Sequence, residues 1–542
     1  MSQKKSGQNI SKLGGPASKV DTSKSRGMLR SSALVSAMTM LSRLLGLVRD
    51  VLFARFLGAE ASADAFYVAF KIPNFLRRLF AEGAFAQAFV PVLSEYRTQG
   101  SVVAVRHFID RIAGCLGSSL ILISVLVVVA APVFTAIFGM GFLLNNPEKF
   151  QLTTELLRIT FPYLLLISLT GFAGAILNSY DQFAVPAFTP VLLNVALITA
   201  AAVVSPMLEQ PVYALAWGVI VAGVLQLLFQ VPFLLRLGLL PHPKVDWGDE
   251  SVVKVLKLMA PAMFAVSVGQ INLLFDTMLA SFLPADGSIT WLYFSDRLME
   301  LPLGVFGVGI ATVVLPNLSR QFVSGTEKFS ATLDWALRLI LIIGVPAAIA
   351  LAVLADPILF ALFQYGEFKP YDVYMSSFSL RAYSVGLVAF MLIKVLASGF
   401  FSRQNTRTPA RIGVIAMIAN MIFNVALVLP FHFLWQIGHA GLALATSCSA
   451  FLNAALLYRG LRKEKAYQPD NRWGAFTLQA VLANGAMALF LYFGLAWVGD
   501  LEGHSALTRL FRVLSLCFAG LGVYILALVV AGLRMKHLRA AS

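Results

Sequence analysis

Leu339-Ile-Leu-Ile-Ile-Gly-Val-Pro-Ala-Ala-Ile-Ala-Leu-Ala-Val-Leu-Ala355 contains no charged and no hydroxyl-bearing side chain. Ala480–Val498 is nearly as apolar, and similar runs recur along most of the chain. A helix of roughly 20 apolar residues crosses the hydrocarbon of a bilayer with its backbone groups satisfied internally. Apolar residues make up 58% of the 542 and charged residues only 13%, against about 45–50% and about 25% in soluble domains. The chain therefore reads as an all-α polytopic membrane protein of about 14 transmembrane helices.

The net charge of +15 would suggest nucleic acid in a soluble protein. In a membrane chain it reflects the Lys and Arg that collect in cytoplasmic loops, and no nucleic-acid partner is expected. Arg97 and Arg106, then Arg236 and Lys244, then Arg403 and Arg407, then Arg459 and Arg462 mark one side. The opposite loops, such as Gly58–Ala61 and Pro284–Gly287, are short and acidic or neutral, with Lys149, Lys369, Arg509 and Arg512 as exceptions. Both termini are predicted to be cytoplasmic. Cys115, Cys448 and Cys517 lie in apolar segments, which argues against a disulfide framework and against a metal cluster.

Shifting the sequence by about 225–230 positions brings similar segments into register, the mark of a duplicated transporter. Phe89-Val-Pro-Val-Leu-Ser94 meets Val314-Leu-Pro-Asn-Leu-Ser319, and Asn194-Val-Ala-Leu-Ile198 meets Asn424-Val-Ala-Leu-Val428. The expected organisation is a disordered basic tail over 1–30 and two pseudo-symmetric six-helix lobes over 31–240 and 241–465. A C-terminal helix pair follows over 466–542. An even-numbered repeat keeps its orientation, so substrate is expected between the lobes, with access alternating as they rock.

The informative residues are charges inside the spans, since an ionised group at the bilayer centre costs about 2.5–3.5 kcal/mol and is kept for a function. The first helix carries Arg43, Arg49 and Asp50; Arg43 and Asp50, seven apart, share a face. The second carries Asp64, Lys71, Arg77, Arg78 and Glu82, with Arg78 and Glu82 at pairing distance on a helix. The eighth carries Asp296, Arg297 and Glu300, ahead of Pro302, Gly304, Gly307 and Gly309. A guanidinium grips phosphate oxygens in pairs and stays charged in a partly dry chamber. A proton relay would favour Asp, Glu or His, yet all six histidines fall in loops or at helix ends. The set predicts an anionic substrate, a phosphate or pyrophosphate; the competing reading is ion pairs that only hold helices together. The spaced glycines after Pro302 sit in an apolar helix rather than after a strand, which fails the dinucleotide fingerprint and predicts close packing or a bend.

Ser42-Arg-Leu-Leu-Gly-Leu-Val-Arg-Asp50, Phe70-Lys-Ile-Pro-Asn-Phe-Leu-Arg-Arg-Leu-Phe80, Tyr293-Phe-Ser-Asp-Arg-Leu-Met-Glu300 and Phe363-Gln-Tyr-Gly-Glu-Phe368 resemble the MurJ/MviN family of lipid II flippases, within the multidrug/oligosaccharidyl-lipid/polysaccharide exporter superfamily. The resemblance runs from about residue 31 to the C-terminus. It implies a flippase of the bacterial inner membrane that carries lipid II, an undecaprenyl-pyrophosphate disaccharide pentapeptide, from the cytoplasmic to the periplasmic leaflet. It implies no enzymatic activity, and a groove for the lipid tail beside the last two helices. Arg43, Arg49, Arg77 and Arg297 are then the substrate-binding candidates; Asp50, Asp64, Arg78, Glu82, Asp296 and Glu300 are gate or structural charges. Membrane lipids and cell-wall synthesis proteins are the implied partners. No cofactor or metal is expected, and a coupling ion (Asn420 and Asn424 are hints) or the membrane potential stays open. The alternatives are an exporter of another undecaprenyl-pyrophosphate-linked saccharide, a drug exporter of the same superfamily, and a membrane-embedded transferase. For the last, the loops Pro241–Ser251 and Arg462–Arg472 offer no acid–base constellation.

Overall fold

The computed structural model describes residues 22–78, 85–470, 473–499, 501 and 503–533. Every regular element among them is helical. The first half runs α1 (Thr22–Leu57), α2 (Ala61–Arg77), α3 (Phe85–Gln99), α4 (Val102–Val129), α5 (Ala131–Phe138), α6 (Met140–Asn145), α7 (Pro147–Thr160), α8 (Tyr163–Ser179), α9 (Ala184–Thr199) and α10 (Val212–Leu237). The second runs α11 (Glu250–Ser281), α12 (Ser288–Pro302), α13 (Val308–Ser324), α14 (Thr326–Val353), α15 (Ala355–Phe363), α16 (Pro370–Phe401), α17 (Arg407–Trp435) and α18 (Gly438–Lys463). Two more, α19 (Trp473–Val498) and α20 (Ala506–Val530), end the described chain.

Among the described residues, 11 helical stretches are long and apolar enough to cross a membrane. The expected count of about 14 is not reached on that criterion. Neither α1, the α2–α3 stretch nor α11 is among the 11; the first two carry Arg43 to Arg78, and charge lowers their mean hydropathy. Helix α1 reaches back to Thr22, so 22–30 is helical where the sequence suggests a disordered tail; no proline interrupts that stretch. The rest of the expected N-terminal tail, and Glu82 with Gly83, lie outside the described residues.

Helices break at similar intervals in the two halves of the chain. Helix α4 gives way to α5 at Ala130 (φ −89°, ψ 21°), and α14 gives way to α15 at Leu354 (φ −95°, ψ 17°). Both residues sit where a helix turns a corner without ending the span. Pro91 in α3 is matched by Pro316 in α13. Within the first half α1 packs on α9 and α2 on α7; in the second, α16 is the hub, against α12, α14 and α18. Helix α11 links the halves, touching α3 on one side and α17 on the other, while α19 and α20 pair and lean on α14 and α15. Large apolar side chains such as Val129, Phe433 and Leu507 point outward, as a surface solvated by lipid requires.

Candidate functional site

Two carboxylates organise the contact between the halves. Asp50, 3% exposed, sits on α1 beside Arg49. Arg49 donates to Asp50 Oδ1 at 2.6 Å, to Asn194 Oδ1 on α9 at 3.1 Å and to the Tyr293 hydroxyl on α12 at 3.1 Å. That hydroxyl donates in turn to Asp50 Oδ1 at 3.0 Å and accepts from Arg297 Nε at 3.3 Å. Arg297 Nε is 3.4 Å from Asp50 Oδ2, and its Nη1 reaches Glu300 at 3.2 Å. The Tyr293 ring stacks on Tyr67 of α2 at 4.1 Å and lies under the Arg297 guanidinium at 5.2 Å. A buried carboxylate thus holds one buried arginine from its own helix and one from the opposite half. This is the pairing that lets charge persist inside a membrane protein.

The arginines differ in what they leave available. Arg49 is 6% exposed and committed to three partners, so it builds the wall in this state. The Arg297 side chain is 39% exposed. Of its five N–H groups, Nε and one on Nη1 are used, and three remain. Arg43 is exposed and forms no hydrogen bond or ion pair with a described residue. Its guanidinium lies on the backbone of Gly304, where any Cβ would overlap it. Gly304 belongs to a π-helical turn, Leu303–Gly307, that joins α12 to α13; the glycine run provides a bend and a seat for Arg43. Seven residues separate Arg297 from Gly304, two helical turns or about 10 Å on one face. Arg43 and Arg297 therefore line one stripe between the halves.

The remaining candidates spread along α2 and α12. Arg77 is half-buried and donates to Asn74 Oδ1 at 3.2 Å. Arg78 is exposed at the end of α2, and half-buried Asp296 makes no hydrogen bond or ion pair to a described residue.

Asp64 closes the end that the basic-loop pattern assigns to the outside. It is 1% exposed and accepts four hydrogen bonds. Oδ1 takes Thr290 N at 2.9 Å and Thr290 Oγ1 at 2.7 Å; Oδ2 takes Gly287 N at 2.9 Å and Lys149 Nζ at 2.8 Å. Asp64, on the first half, thereby caps the N-terminus of α12 on the second, where orphan amides and the helix dipole favour an anion. Lys149 bridges on to Asp286 at 3.1 Å. Beside it the halves meet backbone to backbone. A Cβ on Gly58 would stand 2.6 Å from Glu367 O, and one on Gly287 or Gly366 would overlap the carbonyls of Ala59 or Arg55.

Sequence reasoning missed several partners. Tyr293 and Asn194 carry no charge, and Lys149 looked like a stray exception in an outer loop. Asp276 on α11 accepts from Asn420 Nδ2 at 3.1 Å and Asn424 Nδ2 at 2.6 Å, and Asn272 Oδ1 accepts from Asn420 at 2.8 Å. The Oδ1 atoms of Asn420 and Asn424 are buried without a partner. Two asparagines one turn apart on α17 were the only signal for this cluster.

Residues 53–511 match the family model described as "Lipid II flippase MurJ". The chain belongs to the lipid II flippase MurJ family. The "Probable lipid II flippase MurJ" of Vibrio cholerae is 49% identical over 525 residues, 96% of this chain and 99% of that protein. The "Lipid II flippase MurJ" of Burkholderia cenocepacia is 43% identical over 461 residues, 84% and 87% of the two chains. Among solved structures, "Lipid II flippase MurJ, inward closed conformation" superposes with a TM-score of 0.76 at 27% identity, covering 91% of this chain and 98% of that one. An inward-facing multidrug resistance MATE transporter superposes with a TM-score of 0.63 at 16% identity, covering 80% and 98%; it shares the fold. The MurJ match includes α2, α12 and α16, the helices that carry Asp64, Tyr293, Arg297 and their neighbours.

Proposed function

We propose that this MurJ-family chain is a transporter that flips lipid II from the cytoplasmic to the periplasmic leaflet by alternating access between its two halves, 31–240 and 241–465. The observation that carries the reading is the Arg43–Arg297 stripe: two guanidiniums with unused donors, inside the membrane, on facing halves closed at the outer end. Pyrophosphate is the part of lipid II that such donors recognise, in charge-assisted pairs. The polar headgroup rides in the chamber while the polyprenyl tail stays in lipid.

Each charge then has a role. Arg43 and Arg297 hold the pyrophosphate, with Arg77 supplying a further cation from α2. Arg49 and Asp50 fix the orientation of Arg297 through Tyr293. Glu300 competes for the Arg297 fork and is displaced when phosphate arrives. Arg78 and Asp296 set the field around the chamber, and Asp64 latches the outer gate. Both termini face the cytoplasm. Release follows from rocking that breaks the Asp64 cap and opens the outer seam.

The test is lipid II translocation in proteoliposomes containing the Arg297→Ala protein, with insertion and abundance checked separately. Translocation is expected to fall at least 100-fold while the protein accumulates normally. Normal translocation by this variant removes the assigned grip. Competition by other undecaprenyl-pyrophosphate saccharides measures selectivity, and equal transport of a cationic drug would favour the drug-exporter reading.

A further inference from the structure

Arg509 on α20 is only 8% exposed, although it lies on the side where arginines are scarce. Its Nε donates to His504 O at 3.0 Å, and its Nη1 donates to Gln364 O at 2.9 Å and Gln364 Oε1 at 2.7 Å. The rings of Phe360 and Tyr365 flank it at 5.1 and 5.2 Å. Beyond the residues that lead into α20, its contacts go to the end of α15 and to the segment Phe363-Gln-Tyr-Gly-Glu-Phe368 that connects α15 to α16. No role above uses that motif as a unit.

The other side of this segment is the outer seam. Glu367 N donates to Arg55 O of α1 at 3.0 Å, and Gly366 (φ +61°) lies against the same carbonyl. Its two end residues turn inward. Phe363 and Phe368 pack on Phe294 at 4.6 and 5.2 Å, and Phe294 is 5.5 Å from the Tyr293 ring. Six residues thus touch the C-terminal helix pair, the first half's outer rim, and the aromatic neighbour of the hydroxyl that orients Arg49 and Arg297.

The geometry points to this segment as a strap that ties α20 to the outer gate, with Arg509 as the positioning residue that sets its tension. Held by two hydrogen bonds from Arg509, Gln364 fixes the backbone that follows it. Gly366 and Glu367 then meet α1 in register, and the two phenylalanines press Phe294 into place. The C-terminal pair is accordingly part of the gate's mechanism rather than an appendage. The inference rests on the flippase reading only for the word gate; the contact chain stands without it.

Cysteines at Glu60 and Lys369, whose side chains approach to 3.7 Å across the seam, report closure through the yield of a short thiol cross-linker. The background is the full chain with its three native cysteines replaced. Arg509→Met is expected to lower that yield at least fivefold with normal abundance. Arg509→Lys, which keeps the charge and loses the fork, should give an intermediate yield. A merely structural anchor would lower melting temperature and leave the yield of the surviving protein unchanged, which overturns the proposal. If Arg509→Met fails to accumulate, Gln364→Ala decides: a twofold or greater loss supports the strap, and a wild-type yield refutes it. Lipid II translocation by the unsubstituted chain, measured in parallel, tests the flippase reading separately.

Discussion

Replacing Asp64 by Asn changes one oxygen into an NH2 group and leaves the volume nearly unaltered. The oxygen that remains can keep the Thr290 pair. The new amide nitrogen must then face Gly287 N and Lys149 Nζ, which are both donors. Two hydrogen bonds to an ionised acceptor are lost, at about 1.5–3 kcal/mol each. Removing one partner of a buried ion pair costs about 3–5 kcal/mol. Lys149 keeps Asp286 at 3.1 Å and the Phe142 ring at 4.6 Å, so the lower end applies, about 3 kcal/mol. At about 1.4 kcal/mol per decade the closed arrangement of the outer end loses roughly 100-fold against open ones. Amide hydrogen exchange at Gly287 and Thr290, two of the capped donors, should accelerate by that factor, and lipid II flipping should fail because the outer end no longer stays shut during loading. Adding Lys149→Met should reduce the cost of Asp64→Asn by at least about 1 kcal/mol, since the unpaired donor has gone. Exchange within threefold of wild type in Asp64→Asn would show that the cap does not hold the seam.

Other perturbations separate the parts. Gly304→Ala pushes only the far end of the Arg43 side chain, so melting temperature should hold within a few degrees while translocation falls at least tenfold; unchanged translocation would dissociate Arg43 from the cargo. Tyr293→Phe removes the hydroxyl shared by Asp50, Arg49 and Arg297. It should cost about 1–3 kcal/mol, read as a lower melting temperature and weaker lipid II binding. Gly366→Ala forces a Cβ onto the Arg55 carbonyl at a positive φ, and should lower the Glu60/Lys369 cross-link at least tenfold. Gly309→Ala, with open space around it, should leave that cross-link unchanged.

Sequence pattern revealed what is local or periodic. Apolar runs marked the spans, while the corners at Ala130 and Leu354 carry no signal of their own in the sequence. Charges in apolar helices marked Arg43, Arg49, Asp50, Asp64 and Arg297, because lipid makes them conspicuous. What joins them was hidden. Asp64 and Thr290 lie in different halves of the chain, and no spacing rule connects an acid on one helix to the bare amides at another's start. Tyr293 reads in the sequence as one more aromatic in an apolar helix; only its position under Arg297 makes its hydroxyl a hub. Asp276 escaped notice for the opposite reason, as a single acid near a helix end with its asparagine partners far along the chain.

The outer seam has a mechanical consequence. Where Gly58, Gly287 and Gly366 meet opposing carbonyls, the closest approach is made by backbone rather than by long interlocking side chains, so the two surfaces part there with little change of rotamer. Such a joint behaves like a magnetic clasp rather than a zipper. Resistance is concentrated in a few polar attachments at its ends, and once these let go the middle offers little friction. Opening should then be abrupt, and its threshold should depend on the attachments far more than on the size of the touching area.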